Sequence, residues 1–258
     1  MSLAYLSEEQ NAHFDEDYHG PEELNEKIAY LASHYGDKSV NILDIGGGNG
    51  AFIDYILDRM PKASGTLLDI SQLLIDRNAP HPRKVLVHGS ADELDRLFRD
   101  RSFDVITINW VLHHLVGDDY QSSLDNVESL LTIVSRKLRP GGTIIVAENL
   151  FEGYIGTDLP SKIIFAITSQ KRPYVRIFTK LFFNTAGIGV CFHSLRGWRS
   201  IITHANLYIE HQSFGPVWID PFWRRSLYAL LNVRQPRHGH FYVSAMESVE
   251  AGTLEGPI

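Results

Sequence analysis

Apolar positions in the first half of the chain come in short dense runs, separated by longer segments of mixed spacing. Val40-Asn41-Ile42-Leu43-Asp44-Ile45 reads as a buried strand, and Phe52-Ile53-Asp54-Tyr55-Ile56-Leu57 lies in a helix over 50–60. The alternation then repeats. A strand at 65–70 precedes a helix at 71–78, a strand at 84–88 a helix at 92–100, and a strand at 103–109 a helix at 120–138; a fifth strand covers 142–148. Strands and helices in this rhythm predict a parallel sheet with helices on both faces. Ahead of it, residues 5–35 predict a helical segment broken at Gly20-Pro21, with Leu24, Ile28 and Leu31 on one face. After residue 150 the rhythm changes. Two short helices, 160–170 and 173–184, each open on a proline. Ser194 stands where the cap of a helix at 195–205 belongs, and strands at 207–214 and 239–246 finish the pattern.

The expected organisation is an N-terminal helical segment (1–37), an α/β core (38–150) and a helical insertion (151–193). Completion of the sheet (194–246), with an aromatic and basic excursion near 215–237, and a loose tail (247–258) follow. A single cysteine, Cys191, excludes an internal disulfide framework and a cysteine-based zinc site. Neither a signal peptide nor a membrane-length apolar run is expected, so the reading is a cytoplasmic protein. Charge changes the picture more. The net charge is −7, with −11 in residues 1–150 and +4 in 151–258, and the stretch from Lys162 to Arg237 alone carries +9. A basic, aromatic-rich second half suits an acidic acceptor or, alternatively, a weak contact with a membrane surface.

The turn after the first strand, NILDIGGGNG at 41–50, raises the question of a ligand. Gly46-x-Gly48-x-x-Ala51 satisfies a dinucleotide fingerprint, with Asp69 at a distance suited to a ribose. Asp44-x-Gly46-x-Gly48-x-Gly50 satisfies a second pattern, and Asp44 discriminates between them. An acid there repels a pyrophosphate and attracts a cation. With GSADEL at 89–94, FDVITINWVLHHL at 103–115 and LRPGGTIIVAENL at 138–150, the chain resembles the class I S-adenosylmethionine-dependent methyltransferases of small-molecule type. The resemblance is close over 38–150 and looser over 194–246. It implies a Rossmann-like sheet of seven mostly parallel strands with an antiparallel last strand, helices on both faces, and a helical lid after strand five. It also implies S-adenosylmethionine as cofactor, leaving as S-adenosylhomocysteine. The N-terminal segment is expected to cover that cofactor.

Carried over position by position, the resemblance implies that Asp44, Gly46, Gly48 and Gly50 hold the methionine end and Asp69 the ribose hydroxyls. Ile70, Ser90, Ala91 and Asp92 are then expected around adenine, and Asn109 and Trp110 at the end of strand four. Transfer to a hydroxyl needs a proton acceptor, and His113 is the candidate base. The resemblance implies that His113 faces the pocket and His114 packs beneath its loop. His114, Glu148, Asn149, Tyr154, Arg172 and Arg176 are the candidate acceptor-binding residues, and no metal is expected. The function implied is methylation of an oxygen on an apolar or aromatic metabolite. Nitrogen or carbon methylation, an RNA or protein substrate, and a non-catalytic cofactor-binding partner are the alternatives. No nucleic-acid partner is expected, and a homo-oligomer is compatible with the chain.

Overall fold

The computed structural model describes residues 20–155, 158–170, 189–217, 221–234 and 236–246. Its strands are β1 (Val40–Ile45), β2 (Ala63–Asp69), β3 (Lys84–His88), β4 (Phe103–Asn109), β5 (Leu138–Leu150), β6 (Leu207–Val217) and β7 (Arg237–Ala245). They form one sheet in the order β3-β2-β1-β4-β5-β7-β6. β1 to β5 are parallel, while β7 runs antiparallel to both β5 and β6. The seven-stranded, mostly parallel architecture expected from the sequence is therefore present. Strand order reverses between β1 and β4, the point at which sheets of this kind bind ligands, outside the carboxyl ends of the strands.

Helices α1 (Pro21–Tyr35), α2 (Ala51–Arg59), α3 (Gln72–Asp76), α4 (Leu94–Leu97) and α5 (Tyr120–Lys137) accompany the parallel strands. After β5 come α6 (Leu159–Thr168), α7 (Leu195–His204) and α8 (Phe222–Leu230). The strand period of two sorts the core into two layers. Leu43, Ile45, Ile106, Ile108, Ile144, Val146, Phe241 and Val243 pack with α5 and α7. Val40, Ile42, Leu67, Val105, Ile145 and Tyr242 pack with α1 and α2. The alternation also sorts the polar residues near the carboxyl edge. Asp44 and Thr107 share the α1 side, as do His238 and His240, whereas Glu148 falls on the α5 side.

Several boundaries differ from the sequence pattern, two of them instructively. The helix expected over 92–100 is a 3₁₀ turn at Ala91–Glu93 followed by α4. Glu93 folds back to accept the Ser90 N–H at 3.1 Å, and of α4 only Leu94 is buried. β5 begins at Leu138, which pairs with Phe103 before a register shift brings Val105 opposite Thr143. The expected helix at 173–184 and the segment before residue 20 lie outside the described residues. Above the carboxyl edge of β5, Phe151, Ile164, Val190, Leu231 and Val233 form a small separate core, joined by Phe192, Leu227 and Tyr228.

Candidate active site

β1 delivers Asp44 to the edge, and the chain then turns through four glycines, Gly46, Gly47, Gly48 and Gly50, into α2. Gly46 and Gly48 sit at φ 69° and 56°, a region costly for any residue with a Cβ. A Cβ on Gly46 would also overlap Val111, and one on Gly47 would lie 2.6 Å from Asp44 Oδ2. Backbone and carboxylate are thus brought as close as glycine permits. Gly50 caps α2 in the left-handed conformation.

Asp44 is buried, and its Oδ1 accepts the Thr107 hydroxyl at 2.7 Å. Oδ2 is buried without a hydrogen-bond partner among the described residues. Burial, reinforced by the nearby Asp69 carboxylate, pushes the Asp44 pKa up to about 7. A buried, one-sided carboxylate beside an open loop suits a cationic group, and the ammonium of a methionine moiety is one. Asp69 ends β2 with its oxygens accepting the N–H groups of Gly48 and Ser71, each at 2.8 Å. These contacts aim its carboxylate at the loop, where ribose hydroxyls are expected. Ile70 follows with its side chain 38% exposed, an apolar surface beside the acid. Ser90 is buried, Ala91 half-buried and Asp92 exposed. The residues present therefore fit the cofactor implied by the sequence.

At the end of β4 the Asn109 Oδ1 is a second buried oxygen without a partner among the described residues. Trp110 adopts φ 54°, an outlying conformation for a bulky residue. Its N–H bonds the Ala147 carbonyl at 2.8 Å, and its ring stands edge-on to His238 at 4.9 Å between centroids. Such strain at a sheet's carboxyl edge is a mark of sites built for ligands.

On the opposite side of the sheet, Glu148 is fully buried and committed to the turn at Leu112–His114. Its Oε2 lies 2.6 Å from His113 Nδ1, and Oε1 accepts the Leu112 and His113 N–H groups at 2.8 and 3.3 Å. Glu148 was expected to touch the acceptor; instead both of its oxygens are occupied in holding His113. His113 is itself 5% exposed, its ring 4.7 Å from Phe192 and 4.0 Å from His114. His114 is half-buried with its Nδ1 out of reach of solvent, and desolvation, aided by His113, holds its pKa well below the usual histidine value. Asn149 is half-buried with a buried, unpartnered Oδ1 among the described residues. Tyr154 departs from expectation: it is 64% exposed on a turn held outward by Asn232. Arg172 and Arg176 lie outside the described residues.

Two further groups lie beyond the candidate acceptor and cofactor residues. His193, a histidine that the sequence offers chiefly as a packing residue, is buried behind the His113 turn, and desolvation, with His113 nearby, lowers its pKa to about 3. The second group joins α1 to β7. Glu23 Oε1 lies 3.0 Å from His238 Nδ1 and 3.1 Å from His240 Nε2, and these three residues have the composition of a metal site. Lys27 Nζ, however, stands 2.9 Å from His240 Nδ1. A lysine ammonium only donates, so Nδ1 must accept and Nε2 must carry its hydrogen toward Glu23. With that nitrogen protonated, the trio reads as a clamp. His-x-His on one strand face was the available signal, but its partner is more than two hundred residues away.

Comparison with known proteins agrees with this geometry. The methyltransferase domain family matches residues 43–146. Demethylspheroidene O-methyltransferase of Rhodobacter capsulatus is 33% identical over 116 residues, 43% of this chain and 26% of that protein. The ubiquinone/menaquinone biosynthesis C-methyltransferase of Dinoroseobacter shibae is 29% identical over 114 residues, 42% of this chain and 41% of that protein. The matches therefore span about a quarter to two-fifths of these relatives' length. An S-adenosylmethionine-dependent methyltransferase from Mesorhizobium loti superposes with a TM-score of 0.53 at 19% identity, covering 84% of this chain and 95% of that one. Residues 43–146 match the methyltransferase domain family, and the fold is that of S-adenosylmethionine-dependent methyltransferases.

Proposed function

We propose that this protein methylates an oxygen of a small, largely apolar acceptor. The observation that carries the reading is the buried His113–Glu148 pair, 2.6 Å apart at the end of β5. S-adenosylmethionine, when bound, supplies an electrophilic methyl group on a sulfonium centre. Asp44, Asp69 and the glycine loop would hold it. What remains for the protein is to align the acceptor and to take its proton. A carboxylate at Nδ1 keeps the ring hydrogen on that nitrogen and leaves Nε2 as the accepting atom. His113 is thereby set as a base, and Glu148 acts through it as a positioning residue.

The surroundings support an apolar acceptor. Phe192 stacks on Phe151 at 4.4 Å, and Ile164, Leu227 and Tyr228 extend that surface. Such a lining excludes water from the methyl donor. Of the two relatives named above, one transfers to oxygen and the other to carbon by name. They leave the accepting atom open, and the oriented imidazole favours oxygen because a hydroxyl must lose its proton.

The test is methyl transfer from S-adenosylmethionine to a panel of apolar hydroxylated and carboxylated acceptors. With an acceptor that turns over, His113→Ala is expected to lower kcat by about 10²-fold or more while S-adenosylhomocysteine affinity stays within about twofold. Unchanged turnover on a hydroxyl acceptor would overturn the assignment of His113 as base.

A further inference from the structure

A second apolar surface lies away from the pocket. α8 turns only Leu227 and Tyr228 inward, against the core around Phe151. At 100° per residue, Ala229, Phe222, Ser226, Leu230 and Trp223 fall within about 120° of arc on the other side. Phe222 is 83% exposed, Leu230 82% and Trp223 54%. The turn before α6 adds Tyr154 and Ile155, the latter 75% exposed. That turn is fixed to the end of α8, because Asn232 accepts the Ile155 N–H at 3.0 Å and donates to its carbonyl at 2.6 Å. Five large apolar side chains thus share one braced surface, an arrangement that marks an interaction site.

Charge selects the occupant. Residues 221–246 carry Arg224, Arg225, Arg234 and Arg237 and no acid, whereas residues 1–150 carry −11. Arg224 lies over the Trp223 ring, 5.5 Å from its centroid. Aliphatic tips, an amphipathic Trp and an arginine flanking the apolar arc, Arg225, are the components of a helix that lies in a lipid headgroup layer. An anionic surface attracts this face and repels the acidic half, which fixes one orientation. Among the described residues no helix is long and apolar enough to cross a membrane, so the contact is peripheral.

We propose that α8 and the 153–155 turn dock this protein on the surface of an anionic lipid bilayer. The contact depends on neither His113 nor the identity of the acceptor. Co-sedimentation of the full chain with phosphatidylcholine–phosphatidylglycerol vesicles, against phosphatidylcholine alone, tests it. Binding is expected to the mixed vesicles and to weaken about tenfold or more in high salt. Phe222→Ser with Leu230→Ser, and separately Arg224→Glu with Arg225→Glu, are each expected to reduce partitioning about tenfold or more at an unchanged melting temperature. Absence of binding to mixed vesicles, or binding retained in both double variants, would overturn the proposal. So would a wild-type dimer that the Phe222→Ser, Leu230→Ser variant dissolves while vesicles remain unbound.

Discussion

Glu148→Gln separates the two tasks of the carboxylate behind His113. A glutamine can keep its oxygen toward the Leu112 and His113 amides, which Glu148 Oε1 now serves. Its NH₂ then meets His113 Nδ1 as a donor, so the ring hydrogen must move to Nε2. The fold survives and the base is lost. The expected outcome is a fall in kcat of about 10²-fold or more with a melting temperature near wild type, and nitrogen NMR should show the ring tautomer exchanged. A tautomer unchanged from wild type would sink this account of Glu148. Asp44 offers a different trade. Its folded pKa of about 7 lies above the ordinary 3.8, so the folded state holds the proton more tightly than the unfolded chain. That group's penalty grows as pH rises from about 4 through 7 and is complete by about pH 8. Asp44→Asn removes it and keeps an acceptor for Thr107. The variant should melt higher than wild type at pH 8 while binding S-adenosylhomocysteine at least about tenfold more weakly. Calorimetry should also show wild-type affinity rising through neutrality, since the ligand's ammonium favours the ionised acid.

Elements were legible wherever burial was uniform. β1, β3 and β4 match their expected bounds, β1 and β4 because most of their positions are buried. The helix expected at 92–100 failed for the converse reason: Asp92, Glu93 and Asp95 supply no apolar face, and a side-chain cap won over propagation. Glu148 and His113 were each visible as polar residues at strand ends, but 35 positions separate them and only the β4–β5 pairing brings them together. The α1–β7 clamp was hidden in the same way, and it makes its own prediction. Glu23 accepts from Gly20 N–H at 2.8 Å as well as from the two histidines, and these bonds hold its pKa well below the usual carboxylate range despite burial. Glu23→Ala leaves those donors and Lys27 without their anion. A loss of about 2–4 kcal/mol in urea-derived stability is expected, with an unchanged m-value. A loss below about 0.5 kcal/mol would mean that the clamp is only a surface ion pair.

At the scale of the whole molecule, three segments bring five histidines to the carboxyl edge: 113 and 114 in the turn after β4, 193 before α7, and 238 and 240 on β7. No local pattern announces that convergence, because it follows from strand order; the sequence marked His113 and His114 but did not place His238 and His240 at the same edge. Its thermodynamic consequence is acid lability. Desolvation lowers the pKa of His193 to about 3 and depresses those of His114 and His240. Each is neutral in the folded protein, so each contributes stability that is present above about pH 6.5 and is lost as pH falls below it. Asp44 works the other way, its penalty being relieved over the same interval. Three groups that take up a proton on unfolding, against one that releases one, make stability fall as pH drops below about 6.5. His193 is the member to remove. Its Nδ1 has only long contacts, 3.4 Å to Tyr120 and 3.5 Å to Ser161, and its Nε2 is buried without a partner among the described residues. His193→Gln cannot titrate, so urea unfolding at pH 7, 6 and 5 should show a slope shallower by about 1.4 kcal/mol per pH unit. A slope identical to wild type would place the acid-sensitive protons elsewhere and show that the folded protein tolerates a charged His193.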